Sequence, residues 1–383
     1  MIHRGPAPMT PQAATSSQST ASAASASRPP YTANATAAEI AARLSATKRF
    51  IVTTHAKPDG DALGSTLAIA RALARHGAQG EVWVVGPWPR WMPQIAGDTP
   101  LRKVSADAPD VSLSAPIDTT IITDTGSWSQ LDGLKDWLAT RADQTLIIDH
   151  HLHGDASIAS LRYIDTSAAA VTELCAEVIE HLLGLDVLDG FPPEIAEPLY
   201  LGLATDTGWF KYSNVTPDTL ALASRLLASG VNHARLYQLT EQTDDPSRPR
   251  LLGKALSSLE FHADGRIALM CLRQSDFDAT GAGTEDTGGF AESVMAVAGV
   301  SVVCTLTEMS RPGQPTQLTK GSLRSKPGPH AIDVAAVTAT LGGGGHARAA
   351  GVKLAMPIEQ ARAAVLQALS AACASAHAAT PGT

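Results

Sequence analysis

RFIVTTHAKPDGDALGSTLAIARALARHGAQGEVWVVG, residues 49–86, decides how the front of the chain folds. An apolar run at 49–54 enters a polar loop, a helical pattern fills 62–76 and closes at Gly77, and a second apolar run follows at 81–86. The order reads as strand, helix, strand. Working upstream, Thr36 and Glu39 form a T-x-x-E capping box ahead of Ile40 and Leu44, so order is expected to begin near Thr36 with a short helix. Working downstream, strand-like runs at 119–123 and 145–148 alternate with helical stretches at 130–140 and 168–183. The series predicts an α/β domain with a mostly parallel, Rossmann-like sheet. Helical patterns at 194–205 and 217–229 close that domain or lead out of it.

The polar segment EQTDDPSRPR at 241–250 contains two prolines and marks a break. Beyond it come strands at 266–272, 301–308, 317–324 and 351–355, with helices at 288–298, 332–340 and 357–375 and a GGGGH loop at 342–346. This predicts a second, smaller α/β domain with a mixed sheet. The expected division is a disordered tail at 1–35, a catalytic domain at 36–230, a linker at 231–250, a substrate-binding domain at 251–376 and a disordered tail at 377–383. Residues 1–35 are rich in Ala, Ser, Thr, Gln and Pro and lack the apolar block of a secretory signal. Met9 is an alternative start.

With 383 residues, 44% of them hydrophobic and 17% charged, the chain can bury two or three globular cores. A net charge of -8 argues against coating long nucleic acids or long duplex DNA, since that affinity comes from Lys and Arg neutralising many phosphates. A short phosphate-bearing ligand remains compatible. Cys175, Cys271, Cys304 and Cys373 form no C-x-x-C pair, which leaves neither a zinc ribbon nor a disulfide framework and suggests a reducing cytoplasm. No run approaches the roughly 20 apolar residues of a membrane span. A homodimer is left open.

Acidic clusters follow the ends of the predicted elements. The first strand runs into His55, Asp59 and Asp61, the third into Asp124, the fourth into Asp149, His150 and His151, and a helix end supplies Asp206. In an open parallel sheet, ligands bind outside the carboxyl ends of the strands, so these groups are expected to converge. One D-x-D alone is more often a solvated loop, and Asp124 alone could cap a turn. Four clusters at element ends are a poor product of chance. Carboxylates sharing a small space raise one another's pKa unless a cation compensates. Oxygen and imidazole donors without thiolate suit two divalent cations, manganese first and magnesium or cobalt after it. Such a pair can acidify a water and stabilise the leaving oxygen at phosphorus.

In the second domain the glycines of GGGGH could cradle an anion with main-chain N–H groups, although a flexible hairpin or helix cap reads equally well. Arg324, at the end of a predicted strand, could hold a phosphate with its planar fork.

These motifs resemble the DHH phosphoesterase superfamily, whose name matches Asp149-His150-His151. THAKPDGDALGS at 54–65, TDTG at 123–126, DHH at 149–151 and ATDTG at 204–208 resemble its four motifs in order. SLRSK at 322–326 and GGGGHARAAG at 342–351 resemble the DHH-associated domain of the nano-RNase and pAp-phosphatase branch. The likeness covers roughly residues 37–375. It implies that His55, Asp59 and Asp124 hold one metal, and that Asp61, Asp124, His150 and Asp206 hold the other. It further implies that His151 faces the substrate phosphate with Asp149 orienting the histidine pair, so that His151, Asp149 and Asp124 carry the chemistry. Arg324, Ser325, Gly343, Gly344, Gly345 and His346 are implied to bind substrate.

The expected activity is metal-dependent hydrolysis of short oligoribonucleotides, of adenosine 3',5'-bisphosphate, or of both. A cyclic or linear dinucleotide phosphodiesterase is the alternative. A manganese-dependent pyrophosphatase is disfavoured by the GGGGH loop, and a nucleotide-binding regulator by the complete ligand set. His153 is a weaker candidate beside the triad.

Overall fold

The structure, a computed structural model, describes residues 30–378 except 106, 108, 114, 187, 310–317 and 329–330. Of the tails expected at 1–35 and 377–383, residues 1–29 and 379–383 lie outside the described residues, and residues 377–378 end a helix. The chain divides into two units between Thr240 and Glu241.

Thr36 opens α1 (Ala37–Ser45) with the reciprocal cap expected of its sequence. The first unit continues through β1 (Arg49–Thr53), α2 (Gly60–Arg75), β2 (Gln79–Val85), α3 (Met92–Ala96), β3 (Leu101–Val104), β4 (Thr119–Thr123), α4 (Lys135–Ala139), β5 (Thr145–Asp149) and β6 (Leu161–Ile164). Helices α5 (Val171–Leu183), α6 (Pro193–Asp206), α7 (Pro217–Ala228) and α8 (His233–Glu241) follow. All six strands are parallel, in the order β3-β2-β1-β4-β5-β6. That is a doubly wound sheet whose direction of winding reverses between β1 and β4. Every residue of β4 and β5 is buried, as parallel strands covered on both faces must be. On one face Phe50, Val52 and Ile121 pack with the apolar stripes of α2, α5 and α6, and on the other Ile51, Trp83 and Ile147 pack with Leu131 and Trp137.

The second unit runs α9 (Ser247–Ser257), β7 (Glu260–His262), β8 (Ile267–Leu272), α10 (Gln274–Thr280), α11 (Phe290–Met295), β9 (Val302–Glu308), β10 (Thr319–Ser325), α12 (Val334–Ala339), β11 (Gly344–His346), β12 (Ala349–Leu354) and α13 (Ile358–Ala378). Its sheet, ordered β11-β12-β10-β9-β8-β7, is mixed, with β8 and β9 parallel and the other pairs antiparallel.

Several boundaries differ from the sequence reading, each for a packing reason. Residues 30–35 were assigned to the tail, yet Asn34 and Ala35 donate to the Arg162 carbonyl and Ala35 joins the core, so order precedes the capping box. The expected linker at 231–250 contains α8, whose Leu236 is fully buried in the first core, and the start of α9. The expected helix at 130–140 shortens to α4 behind a 3-10 turn at Trp128–Gln130. Short strands β3, β6 and β7 carry too few residues for their periodicity to register. The GGGGH loop closes as β11, an edge strand on β12.

Gly64 and Gly202 let α2 and α6 approach closely. A Cβ on Gly202 would lie 2.4 Å from Thr172 Cγ2 and 2.6 Å from Asp61 Oδ1, so this contact also sets how near α6 stands to Asp61. Gly202→Ala is therefore expected to cost about 1–3 kcal/mol. Gly253→Ala, at an exposed helical position with nothing within 4 Å, should be neutral or stabilising. Thermal unfolding of the two variants checks the contrast, and equal midpoints would contradict the packing argument.

Candidate active site

The strand ends place the reactive groups. His55 lies two residues beyond β1, Asp124 directly follows β4, Asp149 ends β5, and Asp206 ends α6. Asp59 caps α2, its Oδ1 accepting from the Asp61 and Ala62 N–H groups. Asp124 has φ 63°, a left-handed conformation that non-glycine residues rarely adopt, while its N–H still pairs with the Ile148 carbonyl. Strain of this kind persists where the surroundings enforce it, and it collects at functional sites.

Three groups of candidate metal ligands result: His55, Asp59 and Asp124; Asp61, His150 and Asp206; and Asp124, His150 and His151. Within each, one potential ligand atom per residue lies within 4.8 Å of the others. His55 Nε2 is 3.5 Å from Asp124 Oδ2 and 3.9 Å from Asp59 Oδ1. His150 Nε2 is 3.4 Å from Asp124 Oδ1 and 3.6 Å from Asp206 Oδ2. Asp124 thus stands between the two imidazoles. Most of these separations are long for hydrogen bonds, and they are close to the ~3.0–3.5 Å expected between two ligands each about 2.1 Å from one ion.

The ring orientations fit the same use. His55 Nδ1 lies 3.1 Å from the Ala56 carbonyl and His150 Nδ1 lies 3.2 Å from the Ala168 carbonyl. A carbonyl only accepts, so each ring carries a proton on Nδ1 and turns Nε2 into the cluster. His151 differs. Its Nδ1 is 2.8 Å from Asp149 Oδ1, which also accepts the His150 and His151 N–H groups, and its side chain is half exposed.

Electrostatics shows how unfavourable the cluster is by itself. Burial, together with Asp124 and Asp206, holds the Asp61 carboxyl well above its ordinary pKa. Burial, with Asp124 and Asp59 nearby, pushes Asp206 up to about 6. Asp124 is lowered although burial opposes it, because the imidazoles of His150 and His55 favour its charge. Burial also opposes charge on those rings, yet Asp124 raises His55 to about 9, and Asp124 with Asp61 raises His150 to about 10. The His151 ring is raised chiefly by its bond to Asp149. Asp124 Oδ1 is buried without a hydrogen-bond partner among the described residues. A donor set of carboxylates and imidazoles around an orphaned carboxylate oxygen fits divalent cations.

All eight first-unit residues singled out in the sequence meet here, and His153 joins none of the ligand groups. Two contacts were missed. Asp61 accepts from the Val171 and Thr172 N–H groups at 2.6 and 3.1 Å, capping α5, whose N-cap residue Ala170 has no acceptor of its own. An uncapped helix start was the available signal. Tyr31 donates from its hydroxyl to Asp149 Oδ2 at 2.5 Å, and only its being the first aromatic residue of the chain marked it.

The second unit shows how the residues of the expected substrate-binding set are held. Ser325 is buried and donates its hydroxyl to the Ile332 carbonyl, so it is spent on the fold. Gly343 is required because a Cβ there would lie 2.4 Å from the Gly351 carbonyl oxygen, and Gly345, at φ 145°, would meet Ala349 O at 2.6 Å. Both glycines admit the close approach of the strands, and at Gly344 a Cβ would meet nothing within 4 Å. Arg324 pairs with Ala349 across β10 and β12, and Ala349 with His346 across β11, which sets Arg324 and His346 on one sheet row around a small residue. A cavity of about 210 Å³ adjoins Arg324 and is lined by Lys320, Ser322, Thr305 and Glu292.

Residues 49–203 match the DHH family, N-terminal domain, and residues 270–375 match the DHHA1 domain. A Thermus thermophilus protein named bifunctional oligoribonuclease and PAP phosphatase NrnA is 33% identical over 321 residues, covering 83% of this chain and 88% of that protein. A probable manganese-dependent inorganic pyrophosphatase of Deinococcus radiodurans is 24% identical over 188 residues, 48% of this chain and 55% of that protein. Among solved structures, an exopolyphosphatase-related protein from Bacteroides fragilis shares the fold, with TM-score 0.76 and 24% identity over 89% of this chain and 97% of that one.

A linkage follows from the raised histidines. Below about 9 for His55 and about 10 for His150, each metal-free ring holds a proton on Nε2 that a metal ion must displace. Calorimetric titration of metal-free protein at pH 7.5 in buffers of different ionisation enthalpy is expected to show release of at least two protons per pair of ions, one from each ring with any proton held by Asp61 in addition, falling as pH rises through the values of the rings. Uptake of protons, or none exchanged, would contradict the assigned ring states.

Proposed function

The chain belongs to the DHH family of phosphoesterases, and from that premise we propose that it hydrolyses short oligoribonucleotides and adenosine 3',5'-bisphosphate at a site for two divalent cations. It is a hydrolase acting on phosphoester bonds. The observation that carries the reading is Asp124, which stands between two groups of potential ligands and has a buried oxygen with no hydrogen-bond partner among the described residues. His55, Asp59 and Asp124 would hold one ion, and Asp61, Asp124, His150 and Asp206 the other. Manganese suits this donor set best, with magnesium or cobalt as alternatives, since it has oxygen and imidazole donors and no thiolate.

When bound, the ions supply positive charge for the phosphoryl oxygens and acidify the attacking water. The chain's own residues do the rest. Asp149 accepts from His151 Nδ1 and favours the charged ring, whose Nε2–H would then donate to a phosphoryl oxygen. Arg324 and His346, on their shared row, would bind a phosphate of the substrate. The Thermus relative, matched along nearly its whole length, supports that substrate class. The pyrophosphatase relative matches over only about half of its length, which leaves pyrophosphate as the second substrate to examine. Among the described residues no helix is long and apolar enough to cross a membrane. The proposed setting is the cytoplasm, in keeping with four free cysteines.

Turnover of adenosine 3',5'-bisphosphate, two- to five-nucleotide RNA, pyrophosphate and cyclic dinucleotides with manganese tests the substrate assignment. The first two should be cleaved fastest, and a protein that binds them without cleaving any would be a regulator. Asp124→Ala should lower kcat by at least about 10³-fold and reduce bound metal, an effect sized on the loss of a group acting on the transition state. Near-normal turnover would remove the two-ion assignment. Arg324→Ala should raise KM by roughly 10-fold with metal content intact, the cost of one charge-assisted contact.

A further inference from the structure

We propose that Tyr31 is a positioning residue of the hydrolytic site, pinning the Asp149 carboxylate so that one fixed oxygen orients His151; the proposal rests on the functional reading above.

Asp149 is fully buried. Its Oδ1 takes three donors, the His150 N–H, the His151 N–H and His151 Nδ1, while Oδ2 takes the Tyr31 hydroxyl. A carboxylate with donors on one oxygen alone could turn about its terminal bond and exchange the oxygens, and His151 would follow. With a donor committed to Oδ2, that rotation breaks bonds at both ends, so the orientation of the His151 ring is set before substrate arrives. The loss of the hydroxyl would also leave a buried carboxylate oxygen unpaired.

The surroundings are shaped to receive this ring. A Cβ on Gly126 would lie 2.0 Å from the Tyr31 hydroxyl oxygen, and one on Gly154 would lie 2.5 Å from its Cζ, so both positions are vacated for the side chain. Gly126 belongs to the TDTG stretch that also supplies Asp124. The approach of Tyr31 is held by the segment that follows it. Asn34 accepts from the Arg162 N–H and donates to the Ser160 carbonyl, Asn34 and Ala35 donate to the Arg162 carbonyl, and Arg162 reaches back to the Thr32 carbonyl. Residues 32–35 therefore cover the free edge of β6 and deliver Tyr31 to the end of β5.

Tyr31→Phe removes the hydroxyl and keeps the ring. The expected result is a kcat per folded, metal-loaded molecule lowered about tenfold on the best substrate, with KM and bound metal close to wild type and a lower thermal midpoint from the unpaired Asp149 oxygen, the size in kcat usual for a group that orients a site histidine. A purely structural role would shift the midpoint and leave kcat per folded, metal-loaded molecule unchanged, and that result overturns the proposal. Nitrogen-15 spectra of the magnesium-loaded protein give a second readout that needs no substrate. The Nδ1-protonated His151 ring should show one sharp signal in wild type and a shifted or exchange-broadened one in Tyr31→Phe, whereas identical spectra would overturn the proposal. If wild-type protein cleaved no phosphoester, the functional reading would fail, and the His151 spectra would still decide the role of Tyr31.

Discussion

Asp61, Asp124 and Asp206 crowd around His55 and His150 at the carboxyl edge of a parallel sheet, and carboxylates packed so closely need positive charge among them. Without ions, protons meet part of that need: the imidazoles stay cationic to unusually high pH and Asp61 and Asp206 are pushed toward their neutral forms. Burial makes each remedy costly. The fold thus stores electrostatic repulsion at a point where a divalent cation relieves it, which is how a hydrolase of this family acquires affinity for the ions it uses.

The rest of the first unit can be understood as the scaffold that makes this crowding tolerable. The strand order brings β1, β4 and β5 side by side, so three of the four clusters meet with no long loop. The fourth comes from α6, which stands close to α2 because Gly64 and Gly202 remove the side chains between them. Asp61 is tied down by the start of α5, whose N–H groups and dipole favour a negative neighbour. The same contact completes a helix end that its own sequence leaves uncapped. Packing, capping and one group of candidate ligands thus meet at one carboxylate.

Asp149 illustrates a different use of a buried acid. It reaches the site through His151, with every one of its oxygens committed. Its support comes partly from the segment just ahead of α1, whose composition resembles a solvated tail. In the second unit Ser325 gives its hydroxyl to the Ile332 carbonyl, and Gly343 and Gly345 admit close strand packing, while Arg324 and His346 share a sheet row beside them.

The amino-acid sequence by itself determined the two α/β units, the parallel character of the first sheet and which eight residues come together at the candidate site, because strand and helix periodicities are local and the motif residues follow directly where they end. Element boundaries were less legible where strands are short or where burial of a single residue such as Leu236 ordered an expected linker. Only the tertiary structure decided which atoms meet: that the two oxygens of Asp124 face different imidazoles, that His55 and His150 turn Nε2 inward, that Asp61 caps α5, and that Tyr31 reaches Asp149. Tyr31 and Asp149 stand 118 positions apart, and Asp61 and Val171 110 apart. A hydrogen bond across such a separation leaves no periodic trace in either segment, since it depends on where the sheet brings their ends rather than on what lies beside them in the chain.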